Sequence, residues 1–151
     1  MPLHALSFTA GIDWSAMRQP ADVEIDQALS RARRINRLNG VTGAILLYPT
    51  RLVQWLEGPQ AGLAESLACA RADARLTDLQ VISEGAVDTR MFAESWLLFA
   101  DLRAANACPT AFLATLANGT APIGCEEMRE GLRSISARLA PARHTHAAML
   151  V

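Results

Sequence analysis

The sequence predicts an α+β sandwich, one mixed sheet with two helices on one face, followed by a helical extension. Three observations carry this prediction. Apolar runs of strand length alternate with two segments of helical periodicity, in the order strand, helix, strand, strand, helix, strand. Turn signals at Asn39-Gly40, Pro49-Thr50 and Gly58-Pro59 separate these runs. After Asp101 the composition shifts to alanine-rich helical patterns.

Leu3 to Thr9 reads as the first strand, ended by Ala10-Gly11. A loop over 12–20 carries Trp14 and closes at Pro20. From Asp22, the residues Val23, Ile25, Ala28, Leu29, Ala32 and Ile35 recur at helical spacing, and an acidic start with a basic end suits the helix dipole. Asn39-Gly40 stops this helix. Val41 to Tyr48 is an apolar strand, Pro49-Thr50 the turn, and Arg51 to Leu56 its hairpin partner. Gly58-Pro59 starts a second helix with Leu63, Leu67 and Ala70 as its inner stripe, running to about Ala74. Leu79 to Ala86 is the next strand. A loop with Arg90 and Phe92 leads to a last strand around Trp96 to Ala100. This order, with one extra strand, is that of a ferredoxin-like sandwich with a five-stranded mixed sheet. Residues 1–100 form the domain. Residues 101–151 are a C-terminal helical extension, with helices over about 109–116 and 126–139, that packs on the sheet or at a dimer interface.

The chain has 151 residues and is 51% hydrophobic, enough for one compact core. Its formal charge of -1 provides no global field for nucleic acid or an anionic membrane, and neither is expected as a partner. Arg31, Arg33, Arg34 and Arg37 read as a solvated helix face, with a phosphate-binding patch as the alternative. Three cysteines without paired spacing point to a reducing, cytoplasmic setting. His4, His144 and His146 have no metal-ligand spacing, and His144-x-His146 falls in an expected tail. No signal peptide or transmembrane run is expected, since the apolar stretches are short and interrupted.

Within Leu52-Val53-Gln54-Trp55-Leu56, period-two alternation puts Leu52, Gln54 and Leu56 on one face and Val53 and Trp55 on the other. An apolar strand rarely gives an inward position to a side-chain amide unless its donor and acceptor are used. Gln54 therefore faces either a polar pocket or an edge contact. Asn36, near the end of the first helix, could join it in reading the edge of a planar heterocycle, or could satisfy backbone groups near the helix terminus. No catalytic set stands out: Ser7, Thr9 and Thr42 have no partnered histidine, and Glu57 and Asp73 have no sequence reason to pair. No enzyme activity is expected. Arg71, Asp73 and Arg75 read as a solvated cap or as contacts to the outer part of a cofactor. Trp14, Trp55 and Trp96 read as core or interface aromatics. Gly40-x-x-Gly43 precedes a strand and is no nucleotide fingerprint.

Over roughly residues 2–100 the chain resembles the BLUF domains, flavin-binding blue-light sensors. The resemblance is carried by Arg33-Arg34-Ile35-Asn36, by Gly40-Val41-Thr42-Gly43 leading into an apolar strand, and by Gln54-Trp55-Leu56-Glu57-Gly58. Asp73-Ala74-Arg75 and Arg90-Met91-Phe92 extend it. It implies FAD held between the two helices, with Asn36 against the flavin's carbonyl edge and Gln54 as the amide that rearranges after light absorption. Asp73 and Arg75 match positions near the outer part of the cofactor.

The sequence also departs from the family pattern. The tyrosine of the first strand, which donates an electron and a proton to the excited flavin, is replaced by Phe8, which has no hydroxyl. The family's tryptophan before the last strand falls on Ser95, with Trp96 one residue along and hence on the opposite face. Leu76 replaces a frequent histidine, and Ile35 stands where a polar or aromatic residue is common beside the ring. Each change removes a polar or redox group and keeps apolar volume. The expectation is an FAD-binding sensory module, with Phe8, Ile35, Asn36, Gln54, Asp73 and Arg75 around the cofactor, an impaired photocycle, and a homodimer or protein partner. The alternative is a cofactor-free relative serving interaction or dimerisation. A flavin-dependent oxidoreductase is the third class, with no acid–base group to support it.

Overall fold

The computed structural model describes residues 2–103, 127–133 and 145–146. Strands β1 (His4–Ile12), β2 (Thr42–Leu47), β3 (Arg51–Gly58), β4 (Leu76–Ala86) and β5 (Leu98–Asp101) form a mixed sheet, and helices α1 (Ala21–Asn39) and α2 (Gln60–Arg71) connect them. A two-residue strand β6 (Thr145–His146) pairs antiparallel with β5 and completes the order β4-β1-β3-β2-β5-β6. Only β2 and β5 run parallel. The fold is the ferredoxin-like α+β sandwich of the sequence reading.

Several boundaries differ. The first strand does not end at Ala10-Gly11: it continues to Ile12, because Gly11 keeps its pairing with Arg51 and Thr77. The second helix begins after Pro59, whose carbonyl accepts from Leu63, and ends at Arg71. β5 starts at Leu98, two residues late, and His146 lies in β6 rather than in a tail. The expected helix at 109–116 lies outside the described residues; of that at 126–139, residues 127–133 are helical and are called α3 here.

Two cores lie on the two faces of the sheet. Leu6, Phe8, Ala10, Ile45, Leu47, Leu52, Leu56 and Phe99 pack with Leu29 of α1 and Leu63 of α2. Ala5, Ala44, Leu46, Tyr48, Val53, Trp55, Leu98 and Ala100 pack on the other face with Phe92 and with Met128 and Leu132 of α3. Gly40 and Gly43 each have a geometric reason to be glycine. Gly40, at φ +69°, turns the chain out of α1. A Cβ on Gly43 would lie 2.0 Å from the Trp55 carbonyl oxygen, so β2 closes on β3 only with glycine there. The outer strand β4 is bulged twice against β1, with Asp78 at φ +49°, which spoils it as a flat edge for pairing with another chain.

Candidate functional site

Between α1, α2 and the sheet lies a cavity of about 410 Å³, within the span of about 300–1,000 Å³ usual for small-molecule sites. Its floor is the helix-facing side of the sheet: Ile12, Ile45, Leu47, Leu52, Gln54 and Phe99. Its walls come from α1, with Glu24, Ile25, Ala28, Arg31, Ile35 and Asn36, and from α2 and the turn after it, with Ser66, Cys69, Asp73 and Arg75. From Glu24 to Asn36 the α1 wall runs about 18 Å at 1.5 Å per residue.

Gln54 is half-buried on the floor, with Phe8 and Ile45 as its cross-strand neighbours. Among the described residues its amide makes no hydrogen bond. An amide in that position, inside an otherwise apolar floor, keeps its full donor and acceptor capacity for whatever enters. Phe8 is fully buried in the core beside it and does not line the cavity.

Asn36 is 3% exposed and already engaged. Its Nδ2 donates to the Trp96 carbonyl at 2.7 Å and its Oδ1 accepts from the Ser66 hydroxyl at 2.9 Å. A carboxamide has two N–H donors and two acceptor lone pairs, so one of each remains. One turn earlier, Arg33 Nε donates to the Leu97 carbonyl at 3.0 Å, and the two side chains together fix the backbone leading into β5. Burial pulls the Arg33 pKa down, with Asp26 opposing. Ile35 lines the cavity as an apolar wall residue.

The far end of the cavity is charged. Arg75 pairs bidentately with Asp73, Nε to Oδ1 and Nη2 to Oδ2, both at 2.9 Å, and its Nη1 reaches Glu24 at 3.0 Å. Asp73 and Arg75 are therefore an ion-paired clamp, not the solvated cap that spacing allowed. Burial alone would raise the Asp73 pKa, but the Arg75 hydrogen bonds and charge outweigh it and hold the carboxyl below the usual range. Glu24 is lowered as well, first by the Arg18 amide, against desolvation, and then by the Gln19 amide and Arg75. Glu24 thereby ties the segment ahead of α1 to the same end, where Asp13 N–H donates to the Arg75 carbonyl at 2.8 Å. Trp14 lines the cavity there, its Nε1 donating to the Pro49 carbonyl at 2.8 Å. Sequence reading assigned Trp14 to the core or an interface; the structure puts it in the cavity wall.

The remaining motif residues converge on the opposite face. Glu57 is fully buried, and its carboxylate accepts from Trp55 Nε1 at 3.1 Å, from Met91 N at 2.9 Å and from Phe92 N. Arg90 donates to the Thr42 hydroxyl at 2.9 Å and to the carbonyls of Glu57 and Gly40 at 3.1 and 2.8 Å. This polar knot staples the loop ahead of β5 onto β2 and β3. Trp96 is half-buried and absent from the cavity wall, where Leu97 takes part instead. Ser95 is buried, its carbonyl accepting from Gly43 N.

The family model for sensors of blue light using FAD, BLUF, matches residues 8–97. The chain belongs to the BLUF family. That family is a flavin-binding blue-light sensor fold, a sensory module. The search of curated proteins finds no match. Among solved structures, BlrB, a BLUF protein in its dark state, is 22% identical, with 91% of this chain and 98% of that one covered at a TM-score of 0.73. BlsA in its photo-activated state is 20% identical, covering 95% and 99% at 0.74. Klebsiella pneumoniae BlrP1 with FMN and cyclic diGMP is 25% identical over 66% of this chain and 26% of that one, at 0.58. Among the described residues, no helix is long and apolar enough to cross a membrane, and no group of three or more His, Cys, Asp or Glu could hold a metal.

Proposed function

We propose that this chain is a BLUF-type sensory module that binds FAD in the cavity between α1 and α2, without catalytic turnover, and passes its state to a protein partner or a second copy. The observation that carries the reading is the unbonded Gln54 amide on the floor of a cavity of about 410 Å³. Asn36 retains one donor and one acceptor for the polar edge of a flavin. Ile35 and the apolar floor suit its ring, and the Asp73–Arg75 pair stands beside its outer part. The bound flavin would supply blue-light absorption; what this chain supplies is shape, exclusion of water and amide hydrogen bonds.

The usual light reaction is impaired in this reading. Phe8 is the register partner of Gln54, and a benzyl side chain can neither orient an amide nor yield a proton. The extension over residues 101–151 is the natural route outward, since Met128 and Leu132 pack against the sheet face behind Gln54. Reconstitution with FAD, and separately with FMN, followed by a visible spectrum tests the reading. Flavin bands retained after desalting support it, and their absence with both sinks it. With flavin bound, a clear dark-recovering red shift on illumination would show the Phe8 argument wrong.

One observation favours the cofactor-free alternative: each end of the Asn36 amide already has one partner within the protein, which gives the residue a structural role without a ligand. In that case Asn36→Ala lowers stability, and no flavin is retained by any variant.

A further inference from the structure

We infer that the outer face of α1 is the surface on which two copies of this chain associate, antiparallel about a two-fold axis at Ser30. The inference goes beyond the cavity and does not depend on a flavin being bound. One side of α1 closes the core and the cavity; the other presents Val23, Asp26, Ser30, Arg34, Arg37 and Leu38, all exposed. These six fall within an arc of about 120° at 3.6 residues per turn. Single exposed apolar side chains are ordinary on a protein surface. Here the exposed large hydrophobics among the described residues are Val23, at 41%, and Leu38, at 76%, and both lie in that one arc.

The charges on the arc are ordered along the helix. Asp26 lies toward its start and Arg34 and Arg37 toward its end, and among the described residues none of the three is in a salt bridge. Asp26 acts on Arg33 of its own helix through charge alone. Such a helix is complementary to itself when reversed. With the axis at Ser30, Asp26 comes level with Arg34 of the second copy and within a turn of its Arg37, while Val23 comes within a residue of the second copy's Leu38. A parallel pair would set arginine against arginine and align two macrodipoles that an antiparallel pair opposes. Ser30, the smallest side chain of the six, meets its own copy on the axis, where it lets the helices approach to the usual distance of about 8–10 Å. An interface of this kind closes at two copies.

The same geometry sets the strength. From Val23 to Leu38 the seam is about 23 Å long at 1.5 Å per residue. One helix face of that length buries less than the roughly 800 Å² per partner of a standard interface. Its ionic part is exposed, and the screening length falls from about 10 Å at 0.1 M salt to about 3 Å at 1 M. The association is therefore weak, micromolar rather than nanomolar, and loosens as salt is added.

The test is sedimentation equilibrium of the full, flavin-free chain in low salt. A concentration-dependent dimer is expected, weakened about tenfold by Arg34→Asp and restored to within about threefold by Asp26→Arg combined with Arg34→Asp, since both copies then exchange signs together. Under mild oxidation, Ser30→Cys should give a disulfide-linked dimer beyond any formed by the unsubstituted protein. Val23→Cys should not, because it lies about 21 Å along the seam from its own copy, and a disulfide needs Cα atoms within about 7 Å. A chain that stays monomeric at every concentration reached, or a dimer that Arg34→Asp leaves unchanged, overturns the inference. So does a dimer that the double exchange fails to restore. If Arg34→Asp loses its helical circular dichroism, the cysteine pair decides, and equal cross-linking of the two overturns the inference. Because no flavin is present, failure here leaves the reading of the cavity standing, and failure to bind flavin leaves this one standing.

Discussion

Restoring a hydroxyl beside Gln54 is the sharpest perturbation of the site. Phe8 is fully buried and is the register partner of Gln54, whose amide has no hydrogen bond among the described residues. Directly opposed residues on one sheet face have Cβ atoms about 4.5–5.5 Å apart, close enough for a side chain to meet its neighbour. In Phe8→Tyr the new hydroxyl has two outcomes. If it meets the Gln54 amide, a net gain of about 0.5–1.5 kcal/mol offsets part of the strain of one more buried oxygen, itself about 1–3 kcal/mol. If it does not, an unsatisfied hydroxyl adds about 1–3 kcal/mol to that strain. The two cases thus differ by about 1.5–4.5 kcal/mol, which is about 3 °C or more in Tm at about 2–4 °C per kcal/mol for a chain of this size. Thermal unfolding of the flavin-free protein should show a loss near 1 kcal/mol. The flavin-loaded variant should show a reversible, dark-recovering red shift, larger than any the unsubstituted protein gives in the same measurement. A loss of about 4 kcal/mol together with an unshifted spectrum would refute the placement of Phe8 against Gln54 as the cause of the impairment.

Glu57→Ala strands three N–H donors, those of Trp55 Nε1, Met91 and Phe92, at about 1–3 kcal/mol each; chemical denaturation should show a loss of about 3 kcal/mol or more, and a loss below 1 kcal/mol would deny the knot its structural role. Gly43→Ala places a Cβ 2.0 Å from the Trp55 carbonyl oxygen and should prevent accumulation of folded protein, read by circular dichroism and gel filtration. Asp73 has a folded pKa below its unfolded value of about 3.9. The unfolded chain therefore binds more protons in that window, and the Asp73 contribution is complete above about pH 4 and is lost as pH falls through the folded value. Asp73→Asn should flatten the stability–pH curve below pH 4; an unchanged slope would count against the Arg75 clamp.

Much of the sandwich was legible because burial imposes a period: two on the strands, 3.6 on α1. What periodicity misses is backbone pairing, and so Gly11 looked like a terminator although its strand runs on to Ile12. The amide pair was legible as two side chains that apolar elements do not ordinarily spend. The partners of Asn36 were not, since Ser66 and Trp96 lie 30 and 60 residues away and carry no local signal. Glu57 is the instructive miss. In sequence it is one more acidic residue before a glycine; its burial depends on Arg90 and the Met91 and Phe92 amides, which reach it only after the chain has crossed the sheet. Trp14 is similar, because only the bonds of its neighbours to Arg75 and Glu24 bring that segment to the cavity.

Two polar side chains three residues apart on β3 show how a central strand assigns its exceptions. Such a strand has both faces covered, so a polar group on it must find partners within the protein or face a space that something else fills. Glu57 takes the first course, with three N–H donors gathered on its carboxylate, and its motif neighbours Gly40, Thr42 and Arg90 join the same knot. Gln54 takes the second, on the opposite face and on the floor of the cavity. The residues that carry the family likeness thus do two different jobs. Most of them build the sheet and pin the loop before β5, and their presence speaks for the fold. Gln54 and the free half of Asn36 alone speak for a ligand, which is why a spectrum, rather than a further likeness, decides the function.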